Sequence, residues 1–484
     1  MSSRPQRRPN VIWVFGDQHR AQATGYRGDP NLSTPNIDSL GREGVRFDCA
    51  VAGSPWCAPF RGALISGTYP HQNGVVANGI QLPPAAPTVA TAFNDEGYHT
   101  AYVGKWHLDG AYGAEELTRY VPPDRRGGFQ YWMGNEASNN QHEHYLHGTD
   151  SEKPQRLKGY VTDAMTDLLI RHLRQHTASE DYNPFFAVMS VQPPHGPTVT
   201  PINPRYRGKS ITPADIKLRP NVPHVAWIED KARDLLSGYY GMIENLDYDV
   251  GRLRQALIDM EVDGDTYLMF FSDHGEMAGS HAQFDKRSPH EESIRIPFII
   301  HRGGRMNVGT SDAVLNHVDI APTSLGLCGI PVPDTMVGHD YSAECISSAE
   351  PEYRGTPSEG PESAYLQQIP PRPFAVSQSG VAKGFLDCVN VPWRGVITRD
   401  GWKYVCTSRD SWQLYNVAED PFEQANHVYN ERFRKEKERC HDLLARWIST
   451  TGDYFPLPDI AIHERGTPAE QFLAVTKQRM KYAD

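Results

Sequence analysis

Two apolar runs in this 484-residue chain end in the same way. Val11–Phe15 leads into Gly16, Asp17 and Gln18, and Tyr267–Phe271 leads into Ser272, Asp273 and His274. Each end offers a carboxylate beside a second oxygen or nitrogen donor. Ligands of open α/β sheets collect outside the carboxyl ends of the strands, so two such ends can meet at one divalent metal. An aspartate in that place also caps the turn or helix that follows, and it is the repetition that favours a shared site. The third candidate is Cys57. Pro59 suits the first turn of a helix, Ala63 to Ile65 continue it and Gly67 stops it. Cys57 then sits at a helix N-terminus, where backbone N–H groups and the dipole favour an anion and acidify a thiol. A buried structural cysteine, taken alone, fits the same position.

The spacing Cys57-x-Pro59-x-Arg61, with a helix and Gly67 behind it, resembles the signature of the type I sulfatases in the alkaline phosphatase superfamily. The family's second signature is matched by Gly97 to Leu108, which holds Gly104, Lys105 and His107. Further matches are Ser272 to Glu276, Lys286, the His195 between Pro193 and Pro197, and Leu414-Tyr415 with Asp420-Pro421. They run in the family's order from Asn10 to Asn426.

The resemblance implies that Cys57 is oxidised to formylglycine by a formylglycine-generating enzyme. Of the two hydroxyls of the hydrated aldehyde, one attacks sulfur and expels the alcohol, and the other is deprotonated to collapse the covalent sulfate. One divalent cation, Ca²⁺ first with Mn²⁺ and Mg²⁺ as alternatives, lowers the hydroxyl pKa and neutralises sulfate oxygens. Carried over by motif, its ligands are Asp17, Gln18, Asp273, His274 and the modified side chain at Cys57. Arg61 holds the hydrate, Lys105 adds a second fixed cation, and His107 accepts the hydrate's proton. His195 and Lys286 bind the sulfate, and one of them protonates the leaving oxygen. The implied reaction is arylsulfatase-like hydrolysis of a sulfate monoester, on a small molecule or a saccharide.

Four positions depart from the common pattern: Gln18 where many members have a second aspartate, and Trp56, Phe60 and Ser66 around the cysteine. Phosphonate monoester hydrolases and phosphodiesterases of the same superfamily share the Asp-Gln start and the Asp-His pair, which makes them the alternative. The run Gly104 to His107 resembles the sulfatases instead. A non-catalytic relative would be expected to lose Cys57, Lys105 or His107, and all three are present.

The elements that must position these residues follow from apolar patterning. Val11–Phe15, Thr100–Val103, Phe185–Val191, Thr266–Phe271 and Ile296–Ile300 read as strands buried on both faces. Between them lie helix candidates, among them Pro35 to Gly44 and Asp249 to Met260. This alternation is that of a mostly parallel α/β sheet, and the resemblance implies an alkaline-phosphatase-like fold, a large mixed sheet sandwiched by helices. From Pro333 to Val391 the chain turns rich in Pro, Gly, Ser and Glu. A hairpin about Asp400-Gly401 and a charged helix from Glu431 to Ile448 then suggest a smaller α+β unit. The expected division is a catalytic domain over 8–375 and a C-terminal subdomain over 376–484, whose tail from Tyr454 could reach a second subunit of a homo-oligomer.

Composition sets the background. A net charge of −11 and a mean hydropathy of −0.56 give no basic footprint for nucleic acid and no membrane span. The seven cysteines include no C-x-x-C pair, and Val11–Phe15 is too short for a signal-peptide core, so a cytoplasmic protein is expected. Substrate selection is expected from the loops Asp109–His147 and Tyr206–His224.

Overall fold

Alternate residues of the strand Asn10–Asp17 enter two different cores: Val11, Trp13 and Phe15 on one face, Ile12 and Val14 on the other. A strand covered on both faces has no polar side to display, and this explains the unbroken apolar text. The computed structural model describes residues 8–111, 113, 116, 119–198, 212–347, 360–369 and 391–460.

The strands in chain order are β1 (Asn10–Asp17), β2 (Val45–Phe47), β3 (His99–Lys105), β4 (Tyr131–Asn135), β5 (Tyr145–Gly148), β6 (Gln155–Arg156), β7 (Phe185–Pro194), β8 (Thr266–Ser272), β9 (Phe298–His301) and β10 (Gly309–Ser311). They form one ten-stranded sheet in the order β10-β2-β9-β8-β1-β7-β3-β4-β5-β6. Its centre, β8-β1-β7-β3-β4, is parallel throughout, and antiparallel pairs join β8 to β9, β9 to β2 and β4 to β5. The mixed, mostly parallel sheet expected from the sequence is therefore present. Helices Val161–His176 and Ala226–Asp259 cover one face, and Cys57–Ser66 with Ile320–Leu327 covers the other. The helix expected at Asp249–Met260 is the last third of the 34-residue helix Ala226–Asp259.

A second sheet, antiparallel, runs β11 (Ser363–Gln368), β12 (Trp393–Thr398), β13 (Trp402–Thr407), β14 (Ser411–Asn416), with the helix Arg434–Thr451 packed on it. Strand β11 comes from upstream of residue 375, and that division itself lies outside the described residues, as does the tail beyond 460. Among the described residues no helix is long and apolar enough to cross a membrane.

Candidate active site

Four neighbouring central strands deliver chemistry at one edge. β8 ends at Ser272 before Asp273 and His274, β1 ends in Asp17 before Gln18, β7 runs into His195, and β3 ends in Lys105 two residues before His107. Gly104 lets β3 approach β7 just before that end: its φ is 115°, and a Cβ there would lie 2.0 Å from the Ser190 carbonyl oxygen. Helix Cys57–Ser66 brings its N-terminus to the same edge, with all ten residues buried. The Ala58 N–H, free at a helix start, donates to Asn78 Oδ1 at 3.0 Å.

The geometry unites the residues the sequence singled out. One ligand atom from each of Asp17, Cys57, Asp273 and His274 lies within 4.8 Å of the others, all of them buried. Cys57 Sγ stands 3.2 Å from His274 Nε2 and 3.6 Å from Asp17 Oδ1. Arg61 spans the two carboxylates, with Nη2 donating to Asp17 Oδ2 at 3.1 Å and to Asp273 Oδ2 at 3.2 Å. Its Nη1 donates to Ser190 Oγ and to the Lys105 carbonyl, at 2.7 and 2.9 Å. Lys105 Nζ donates to Asp17 Oδ2 at 2.6 Å. On the other side Lys286 Nζ donates to Gln18 Oε1 at 2.6 Å and to His195 Nε2 at 2.8 Å. His107 Nε2 lies 3.4 Å from the Glu116 carboxylate. Both Gln18 and His107 hold left-handed backbones, with φ of 71° and 60°, a conformation that costs a non-glycine residue roughly 1–3 kcal/mol and collects at functional sites.

Charge is crowded here. Burial and the Asp17 carboxylate push Asp273 up to about 6. Burial would raise Asp17 as well, but Lys105, with His195 and Arg61 behind it, holds it well below the carboxylate range. The Cys57 thiol is raised by burial and by Asp17, and the cations Lys105, Lys286 and His274 more than reverse this, so the thiolate is favoured. Burial works against a charged His274, yet Asp273 and Cys57 raise it to about 9. His195 goes the other way, to about 4, through burial and the adjacent Lys286 ammonium. Two buried carboxylates, an acidified thiol and an imidazole facing one another are a donor set that a divalent cation fits, because it would cancel the repulsion that raises Asp273.

Several contributors were not legible beforehand. Ser190, which fixes Arg61, is the one polar residue of the run Phe185–Val191, and that interruption was its only signal. Tyr239 on the long helix accepts the Arg20 N–H at 2.9 Å and donates to the Gln18 carbonyl at 2.8 Å, latching the turn after β1. Glu136 accepts from the N–H groups of Leu108, Asp109 and Ala111 and so orders the loop behind His107. Phe60 turns away from the site and stacks on His317, ring centroids 5.4 Å apart, so this departure from the common signature is absorbed by the core.

A second cluster, His281, His290 and Glu423, lies under the C-terminal sheet. Its charge is already balanced. Glu423 pairs with Lys403 and accepts from His290 Nδ1 at 3.2 Å, while His290 Nε2 accepts from Gln413 at 3.2 Å. Lys403 Nζ also donates to the Pro289 carbonyl at 2.7 Å, Glu291 N–H to Glu423 Oε2 at 2.8 Å, and Trp393 Nε1–H to the Arg287 carbonyl at 3.2 Å. These bonds tie the segment just after Lys286 to the second sheet.

The sulfatase family model matches residues 9–330. An ulvan-active sulfatase from Formosa agariphila is 32% identical over 456 residues, covering 93% of this chain and 83% of its own length. An N-acetylglucosamine-6-O-sulfatase from Bacteroides thetaiotaomicron is 24% identical, covering 90% of this chain and 86% of its own. Among solved structures, yidJ from Bacteroides fragilis has a TM-score of 0.80 at 24% identity, over 94% of this chain and 98% of that one, a likeness of fold.

Proposed function

The chain belongs to the sulfatase family, whose reaction is the hydrolysis of sulfate monoesters, and we propose that it performs that reaction on a saccharide sulfate, at the strand ends around Cys57. The observation that carries the location is the convergence of Asp17, Cys57, Asp273 and His274 within 4.8 Å, framed by Arg61, Lys105 and Lys286. The substrate class rests on relatives named for ulvan and for N-acetylglucosamine.

Formylglycine at position 57 would supply, as its hydrate, the attacking hydroxyl, and a divalent cation held by Asp17, Gln18, Asp273, His274 and that side chain would supply positive charge against the sulfate oxygens. The remaining work falls to fixed side chains. Arg61 is locked by four acceptors, so it holds Asp17 and Asp273 at one spacing and needs no rearrangement during turnover. Lys105, bonded to Asp17, and Lys286, bonded to Gln18 and His195, both act on the Cys57 side chain through their charge and bind the tetrahedral anion. Burial and Lys105 lower His107, but Cys57 and Glu116 outweigh them and raise it, which suits a base that takes a proton from the side chain at 57. The leaving oxygen is protonated from the His195–Lys286 pair. His195 offers Nε2 as an acceptor to Lys286 and hydrogen-bonds through Nδ1 to the Gly196 carbonyl at 2.8 Å, so the mobile proton of the pair sits on Lys286 Nζ.

Gln18 is the observation that favours the second reading, a phosphonate monoester or phosphodiester hydrolase. The test is steady-state kinetics on sulfated mono- and disaccharides, 4-nitrophenyl sulfate, a phenyl phosphonate monoester and a phosphodiester. The highest kcat/KM is expected for a sulfated saccharide. A phosphonate or diester turned over with higher kcat/KM than every sulfate would overturn the assignment.

A further inference from the structure

Beside Gln18 lies Glu276, buried and assigned neither to the substrate nor to the cation. Its Oε1 accepts the N–H groups of Ala278 at 2.9 Å and Asp285 at 2.7 Å, and its Oε2 accepts from Gln18 Nε2. The other head of that amide, Gln18 Oε1, faces the Lys286 ammonium. Only one orientation of the amide satisfies both neighbours. Turned over, it would set N–H groups against an ammonium and an oxygen against a carboxylate.

We propose that Glu276 is a positioning residue that holds the amide oxygen of Gln18 toward the cation-binding cluster and Lys286, while the same carboxylate pins the loop that delivers Lys286. The inference rests on the proposed reading of Gln18 as a ligand. The carboxylates of Asp17 and Asp273 offer an oxygen whichever way they turn, whereas a glutamine has one head that attracts a cation and one that repels it. A glutamine ligand therefore needs an outside group to choose the head, and an amide oxygen with two lone pairs serves both Lys286 and a cation. Glu276 also restores, one residue removed, the negative charge that glutamine in place of aspartate leaves out.

The near-isosteric Glu276→Gln variant isolates the effect. Its side-chain oxygen can still accept from Ala278 and Asp285, so its new N–H₂ faces Gln18, and neither orientation of that amide then satisfies both neighbours: one sets N–H against N–H, the other sets N–H against Lys286 and the cation. The experiment is calorimetric titration of Ca²⁺, then Mn²⁺ and Mg²⁺, into the cation-free protein, using the parent, Gln18→Ala, Glu276→Gln, the double variant and Asp273→Asn, with the urea unfolding midpoint of each. Glu276→Gln should weaken binding about 10- to 100-fold, the usual effect of losing a group that orients a ligand. In the Gln18→Ala background the same change should alter affinity by less than about twofold. Unchanged affinity in Glu276→Gln, or an equal loss in both backgrounds, would overturn the positioning role while leaving the ligand reading in place. If neither Gln18→Ala nor Asp273→Asn weakens binding, the cation sits elsewhere and both readings fall.

Discussion

Replacing Asp273 with asparagine should stabilise this protein when divalent cations are withheld and leave it the less stable of the two when they are supplied. Burial and Asp17 raise Asp273 from 3.8 to about 6. An acid raised in the folded state costs nothing below the unfolded value; the cost grows as pH climbs through the interval and is constant above the folded value. About two pH units correspond to about 3 kcal/mol, and at 0% exposure no discount for solvent screening applies. The shift already contains the attraction of Arg61, but asparagine offers one acceptor where the Gln18 N–H and Arg61 Nη2 use both oxygens of Asp273, which costs about 1 kcal/mol at every pH. The net gain should be about 2 kcal/mol near pH 7.5 and should fall to zero or below as pH approaches about 4. Cation binding reverses the order: at about 1,000 times its Kd a ligand stabilises the folded state by about 4 kcal/mol, and the variant forfeits most of this. Urea unfolding followed by tryptophan fluorescence, at both pH values and with either chelator or excess Ca²⁺, reads all four corners. If the two proteins unfold at the same urea concentration near neutral pH in chelator, the carboxylates are not in conflict and the reasoning about the cluster fails.

Cys57→Ala should lower kcat on the order of 10⁴-fold or more with an unchanged unfolding midpoint; a comparable loss of folding would return Cys57 to a structural role. Mass spectrometry of the peptide containing Cys57, after co-expression with a formylglycine-generating enzyme, should find the aldehyde. Lys286→Ala should reduce turnover of a sulfated sugar about 10²- to 10⁴-fold and that of 4-nitrophenyl sulfate by less, because both lose an anion contact but nitrophenolate leaves without a proton. Equal losses on both substrates would remove Lys286 as the proton source. Gly104→Ala, with a Cβ driven onto the Ser190 carbonyl, should destabilise by at least about 2 kcal/mol, measured by the same unfolding assay. An unshifted midpoint would contradict the described pairing of β3 with β7.

The central strands could be read from the sequence because burial on both faces leaves runs such as Val11–Phe15 without polar interruption. Two of their ends could be read because chemistry there needs particular residue types: Asp17, Asp273 and His274 fall at strand ends, whereas Lys105, two residues beyond the expected Thr100–Val103, was reached through the resemblance, as was Arg61 one helical turn from Cys57. The first two-thirds of the helix Ala226–Asp259 escaped notice. Its inward residues include Tyr239, Tyr240, Glu244, Asn245 and Asp247, and this polar stretch blurs the apolar stripe that marks the last turns. Strand β4 was invisible for another reason, being five residues with Gly134 inside, too short for a periodic signal. Glu276 and Ser190 could be quoted from the text, but their roles depend on a partner 258 and 129 positions away, and no local pattern encodes that.

The bonds that Lys403, Glu423 and Trp393 make to residues 287–291 have a consequence for modularity. The family model ends at residue 330, and a chain cut there would look complete by pattern. It would lack the clamp on the segment that follows Lys286, whose anchors lie more than 100 positions downstream. The second sheet is thus no interchangeable cap. A chimera that joins residues 8–330 to the C-terminal region of a distant relative would have to rebuild that clamp before it could place Lys286, so the two parts can be expected to diverge together and not by exchange.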